Sequence, residues 1–189
     1  MEQALARLLR DPAPATPALR RARLTELDVA IPHPVYHVGL SDLAAGRLTA
    51  AARLVAWRYL LLDGERVIAA AEVTAPGASG RVELTHFNEG PFVKATVDAL
   101  SLAEQAPQVA GAAYEFRSLR IPALYVASLW LHASDDLFIP LPPTHEKLEA
   151  LRVYTEEQLI TELRTAAADR LKIAEDSGGP EEDIAVPVR

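Results

Sequence analysis

Residues 57–73 read WRYLLLDGERVIAAAEV, two apolar runs joined at Asp63-Gly64. Glycine accepts positive φ without strain, so an Asp-Gly pair between apolar runs predicts a tight hairpin of two antiparallel strands. Working outward toward the C-terminus, Pro76 to Gly80 predicts a second turn, and the alternation in residues 81–85 (RVELT) predicts a third, half-buried strand. Asn88-Glu89-Gly90-Pro91 then opens a helix with proline in its first turn, and Phe92, Val93, Val97, Leu100 and Ala103 form the stripe that lays it on the sheet.

Pro107 closes that helix, and residues 113–121 return to strand. Tyr114 and Phe116 share one parity while Leu119 and Ile121 share the other, which predicts a bulge near Ser118 or a strand covered on both faces. Residues 124–131 are almost wholly apolar, as a central strand requires, and a short last strand follows at 137–141. Thr155 and Gln158 fit a capping box, and Leu159, Leu163, Ala166, Ala167 and Leu171 repeat at helical spacing up to about Ala174.

Upstream of the hairpin, Leu5, Leu8 and Leu9 share a helical face, a proline-rich linker follows, and Thr16-Pro17 opens a second short helix. Pro32 and Pro34 force an extended segment, Ser41 and Asp42 are candidate caps of a short helix stopped by Gly46, and helix is expected to resume over residues 48–53. The expected fold is α+β: an antiparallel sheet of five to six strands in the order β-β-β-α-β-β-β, with helices packed on it and at both ends. The expected layout is an N-terminal helical extension and linker (1–28), a single α+β domain (29–174) and a flexible acidic tail (175–189).

That element order is similar to the class I secretion chaperones over about residues 41–174, and more loosely to cystatin-like, profilin-like and NTF2-like sheets. No sequence motif accompanies the similarity, which therefore bears on architecture alone.

The chain has 189 residues, a net charge of −7 and no cysteine. The absence of cysteine excludes disulfides, thiolate metal ligands and cysteine nucleophiles. The acidic balance argues against a nucleic-acid partner, the broken apolar runs argue against a membrane, and an N-terminus without a basic segment argues against a secretory leader; a cytoplasmic location is expected. No Gly-rich phosphate loop, Walker pattern or dinucleotide fingerprint occurs. Gly77-Ala-Ser79-Gly80 is one residue short of a nucleophile elbow and joins two strands. His33 and His37 have the spacing of helical metal ligands where Pro32 and Pro34 forbid a helix, and His145 to Glu149 begins like a zincin helix without its second histidine. No catalytic residue, metal or cofactor is assigned.

The strand-to-helix junction carries the candidate site: His86, Asn88 and Glu89, with Arg117, Arg120 and Trp130 as its walls. The structural alternative at the junction is capping of the helix by Asn88 or Gly90, with Glu89 complementing its dipole. Glu115, Arg117 and Arg120 on an apolar strand are expected to pair with a neighbour such as Glu72 or Glu83, or to face a partner. The functional expectation is a non-catalytic protein-binding module, an acidic chaperone or adaptor acting on a protein partner and pairing with a second copy of itself. The alternative is a small-molecule-binding or enzymatic domain with an apolar pocket between helix and curved sheet.

Overall fold

The computed structural model describes residues 16–22, 27–75, 83–110 and 112–176. The expected helix at 1–10, most of the linker after it, the turn at 76–80 with the start of the strand at 81–82, and the tail from 177 lie outside these residues.

Among the described residues eight strands form one sheet: β1 (Leu27–His37), β2 (Arg53–Asp63), β3 (Arg66–Thr74), β4 (Leu84–Asn88), β5 (Glu115–Ile121), β6 (Val126–His132), β7 (Leu137–Pro140) and β8 (Tyr154–Thr155). The α-helices of the described residues are α1 (Pro17–Arg21), α2 (Leu40–Ala44), α3 (Pro91–Gln105) and α4 (Glu156–Asp176). The strand order is β4-β3-β2-β1-β5-β6-β7-β8. The chain starts in the middle of the sheet and meanders outward through β4. It then crosses one face as α3, returns beside β1 as β5, and meanders outward again to β8.

The α+β class is as expected, but the sheet is mixed and larger than five to six antiparallel strands. The parallel joint, Val35–Ser118, Tyr36–Leu119 and His37–Arg120, exists because the α3 crossover returns the chain to the other side of β1. The segment around Pro32 and Pro34 is a central strand, a position that proline normally forbids. It is admitted here because both prolines precede the stretch paired to β5, and Pro32 sits in a bulge between Ala30 and His33 where Ile31 takes φ 49°.

The hairpin expected at Asp63-Gly64 is β2-β3, with Asp63 opposite Arg66. Its turn is Gly64-Glu65, one residue later than the Asp-Gly reading, with positive φ (60°) at Gly64, the first turn position. Residues 48–53 do not resume a helix: a single 3-10 turn (Thr49–Ala51) leads straight into β2. The N-cap of α2 is Gly39, without a side-chain cap bond, and Gly46 ends that segment at φ 76°. In β5 the change of apolar parity is no bulge, since its register with β6 runs unbroken from Glu115–His132 to Ile121–Val126. It reflects a strand covered on both faces.

Alternation divides the core between those faces. On one face α3 presents Ala95, Ala99 and Ala103 to Leu129, Leu131, Leu137 and Ile139, and Val93 to Leu60 and Ala70. The small side chains let the helix lie close to the sheet. On the other face, Leu159, Leu163 and Ala167 of α4 and Leu40 and Leu43 of α2 pack on Leu119, Ile121, Trp130 and Phe138. Each fully buried leucine there contributes roughly 2 kcal/mol. Leu19 of α1 covers Tyr59, Leu61, Ala71 and Val73 on this same side.

Polar contacts fix the helices in place. Thr155 and Gln158 exchange reciprocal bonds at the start of α4, Thr155 N to Gln158 Oε1 at 3.0 Å and Gln158 N to Thr155 Oγ1 at 3.3 Å. Glu156 Oε1 accepts from Thr49 N at 2.8 Å and Thr49 Oγ1 at 2.7 Å, and Arg164 Nε donates to the Ala44 carbonyl at the end of α2 at 2.9 Å.

A charged row across the sheet as candidate binding site

On the α3 side of the sheet, beyond the apolar contact of Val93 with Leu60 and Ala70, four ionisable residues stand directly opposite one another on four adjacent strands. The register pairs His33 with Arg58, Arg58 with Glu72, and Glu72 with His86. Two bulges make this row. Three residues of β1 advance from Ala30 to His33 while β2 moves only two, from Leu60 to Arg58, so the extra residue turns His33 onto the face of Arg58. On β4 the register shift between Glu72–His86 and Val73–Leu84 leaves Thr85 extra, and its hydroxyl donates to the Glu72 carbonyl at 2.8 Å.

Arg120 of β5 joins the row from three strands away. Strand spacing alone puts β3 and β5 about 14 Å apart. Yet Arg120 Nη1 donates to Glu72 Oε1 at 2.9 Å and Nη2 donates to Oε2 at 2.6 Å, a two-point pairing in which both long side chains lean across the two strands between them. Arg58 Nη1 lies 3.7 Å and His86 Nε2 4.0 Å from the same Glu72 Oε2. One carboxylate thus sits among two guanidiniums and an imidazole, with His37 opposite Arg120 and on the same face as His33.

Burial grades the cluster from floor to rim. The side chains of Arg58 and Glu72 are each 6% exposed and His33 is buried, whereas Arg120 is 22% and His86 46% exposed. Burial pushes His33 down to about 4; its Nδ1 donates to the Ile31 carbonyl at 2.8 Å, so the neutral ring carries its proton there. His37 is lowered by burial and then by the charge of Arg120. Burial lowers Arg58 to about 10, with Arg120 adding to the effect, and it remains a cation at neutral pH. For Glu72, burial would raise the carboxyl, but the Arg120 hydrogen bonds and the charges of Arg120, His86 and Arg58 hold it below its ordinary value. Arg58 keeps two buried nitrogens, Nε and Nη2, with no hydrogen-bond partner.

Of the residues singled out in the sequence, His86 and Arg120 meet at Glu72, one of the two neighbours anticipated for the arginines. Asn88 ends β4, its Oδ1 buried without a partner. Gly90 is the N-cap of α3, at φ 96°. Glu89 reaches α1 instead of its own helix: its Oε2 accepts from Ala18 N at 2.7 Å. Glu89→Ala is expected to cost about 1 kcal/mol and to speed amide exchange in residues 18–21, while Glu89→Gln retains most of the protection. Exchange measured by mass spectrometry on the three proteins checks this.

Arg117 and Trp130 lie on the opposite face. The Arg117 guanidinium stands 4.8 Å from the Trp130 ring centroid and 5.3 Å from that of Tyr36, and its Nη2 donates to Glu115 Oε2 at 2.7 Å. Glu115 is lowered by that bond. Trp130 is 2% exposed and its Nε1 donates to Asp136 Oδ1 at 2.8 Å, which makes it part of the core.

Arg58, His33 and His37 complete the row without having been singled out as binding residues. Arg58 carries a signal, a cation between Trp57 and Tyr59 that interrupts an apolar run. His33 and His37 show in the sequence only the spacing of helical metal ligands, which does not point to a strand face. Among the described residues no group of three or more His, Asp or Glu is placed to hold a metal, and no helix is long and apolar enough to cross a membrane. A shallow depression of about 500 Å³ lies beside α3, lined by Asp98, Ser101, Gln105 and Val153 among others, away from the charged row.

Comparison with protein-family models, with curated proteins and with solved structures finds no match. The functional reading therefore rests on the geometry of the row.

Proposed function

We propose that the chain is a non-catalytic protein-binding module, adaptor- or chaperone-like, which receives its partner at the rim of the charged row. The observation that carries this reading is the imbalance of the cluster: two guanidiniums, with the His86 imidazole at the rim, gathered around one carboxylate in a chain whose net charge is −7. A positive patch on an acidic protein selects an acidic partner surface and turns away others. The pocket reading is weaker, because Ala95, Ala99 and Ala103 fill the space between α3 and the sheet against Leu129, Leu131 and Ile139. The hydrogen-bonded pair His132–Asp136 resembles part of a catalytic relay, but the same Asp136 oxygen also holds Trp130 in the core.

The test uses the full chain, immobilised and exposed to extract of its source cells. His86→Glu alters the exposed rim, and Arg66→Ala at the exposed tip of the β2-β3 hairpin changes the net charge equally, far from it. The expected result is a protein retained by the wild type and by Arg66→Ala and lost with His86→Glu, circular dichroism being the same for all three. Equal retention by all, or none by the wild type, overturns the reading.

A further inference from the structure

We infer that Arg120 is the residue of the row that takes hold of the partner, releasing Glu72 to Arg58 as it accepts a carboxylate from the partner's acidic surface. This deepens the proposed function and rests on it for the source of that carboxylate. Two guanidiniums share the one buried carboxylate, and they share it unequally. Arg120 holds both oxygens of Glu72, at 2.9 and 2.6 Å, while Arg58 Nη1 stands 3.7 Å from Oε2, too far for a hydrogen bond. The division is the reverse of what burial favours. The Arg58 side chain is 6% exposed, with Nε and Nη2 also partnerless, whereas that of Arg120 is 22% exposed and is met by water when it lets go.

The exchange needs no opening beside the sealed nitrogens of Arg58. Glu72 is already inside, and a shift of about 1 Å brings its Oε2 within hydrogen-bond reach of Nη1. Arg120 meanwhile gives up a contact that stretches its side chain across two intervening strands, and recovers rotamer freedom. Without a partner the pair of cations cannot be balanced, because Glu72 offsets only one of them, whichever it joins. A partner carboxylate on Arg120 makes two pairs out of one: Glu72 with Arg58 on the floor, and the partner with Arg120 at the rim. The guanidinium edge that Glu72 occupies now is the edge that a planar carboxylate from outside takes over. Arg58 is therefore a positioning residue, which acts on the partner only through Glu72.

The experiment titrates the full wild-type chain with a hexaglutamate peptide, with sodium chloride at matched ionic strength as control, and follows the arginine Nε–Hε resonances. The Arg120 and Arg58 signals are both expected to move, with one apparent dissociation constant. Movement of Arg120 alone is contact without exchange and overturns the inference, as does no movement of either. Arg58→Met, its circular dichroism unchanged, is expected to weaken the Arg120 response about tenfold, the size of a coupling within one charged network; an undiminished response overturns it. A crystal structure of Arg120→Met gives a further readout. Glu72 is expected within about 3 Å of an Arg58 nitrogen, and a carboxylate still 3.7 Å away overturns the exchange. Partner retention at the His86 rim is measured separately, so a protein that captures its partner while Arg58 ignores hexaglutamate sinks this inference and leaves the proposed function standing.

Discussion

Replacing Glu72 by alanine lowers the free energy of unfolding by about 3 to 5 kcal/mol, one of the largest losses expected from a single polar substitution in this protein. The carboxylate is 6% exposed and is the shared counter-ion of Arg120 and Arg58. Its removal leaves Arg58 and Arg120 without their shared counter-ion, and the desolvation cost of the buried Arg58 is no longer offset by pairing. Arg58→Met behaves in the opposite way: a residue with two buried, partnerless nitrogens gives way to a flexible apolar chain of similar length, and the change is neutral or stabilising by up to about 4 kcal/mol. Combining the two substitutions recovers part of the Glu72→Ala loss, since only Arg120 is then unpaired, and Arg120 reaches solvent. Urea unfolding of the four proteins at pH 7.5 measures the cycle. A Glu72→Ala loss below about 1 kcal/mol would mean that water screens the cluster as it does a surface pair.

The second large effect is acid sensitivity centred on His33. Its value of about 4 in the folded protein lies below the 6.5 of the unfolded chain, so between those values the unfolded state binds the extra proton. Stability therefore falls as pH falls from about 6.5 to about 4, by about 3 kcal/mol over the whole window from this residue alone. Glu72 acts in the same direction lower down: its folded value is depressed, so its contribution is present above the ordinary carboxyl range and is lost as pH drops through the folded value. His33→Asn keeps an N–H that donates to the Ile31 carbonyl and cannot take a proton. The variant should match the wild type at pH 7.5 within about 1 kcal/mol and lose much less by pH 4.5. Parallel stability curves for the two proteins would assign the acid sensitivity elsewhere.

Much of the fold was legible because local chemistry and tertiary need coincide. Gly64 marked the hairpin, Gly90-Pro91 the start of α3, and the Thr155–Gln158 capping box the start of α4. The strand β1 was obscured by Pro32 and Pro34, whose tolerance depends on a bulge and on where the pairing with β5 begins. With β1 uncounted, its parallel neighbour had no visible partner, and two-residue β8 is too short to show alternation. Of the charged row, His86 and Arg120 stood out as polar residues on strands, and Glu72 as a prospective partner. That Arg120 reaches across two intervening strands to Glu72 follows from the strand order of the whole sheet, which no stretch of a few residues encodes. Arg58 was hidden for a related reason: in a run of seventeen residues it reads as an interruption, and only the register shows it at the centre of five strands.

The parallel joint between β1 and β5 divides the chain into two meanders that are each assembled from near neighbours, while the joint itself brings together positions as distant as Val35 and Ser118. The halves also share one core, since Leu40, Leu43 and Leu48 of the first pack with Leu119, Ile121, Leu159 and Leu163 of the second, so the long loop that the joint closes is held by apolar packing as well as by the ladder. Arg120 and Glu72 belong to opposite halves, and their two-point bond buckles the seam from above.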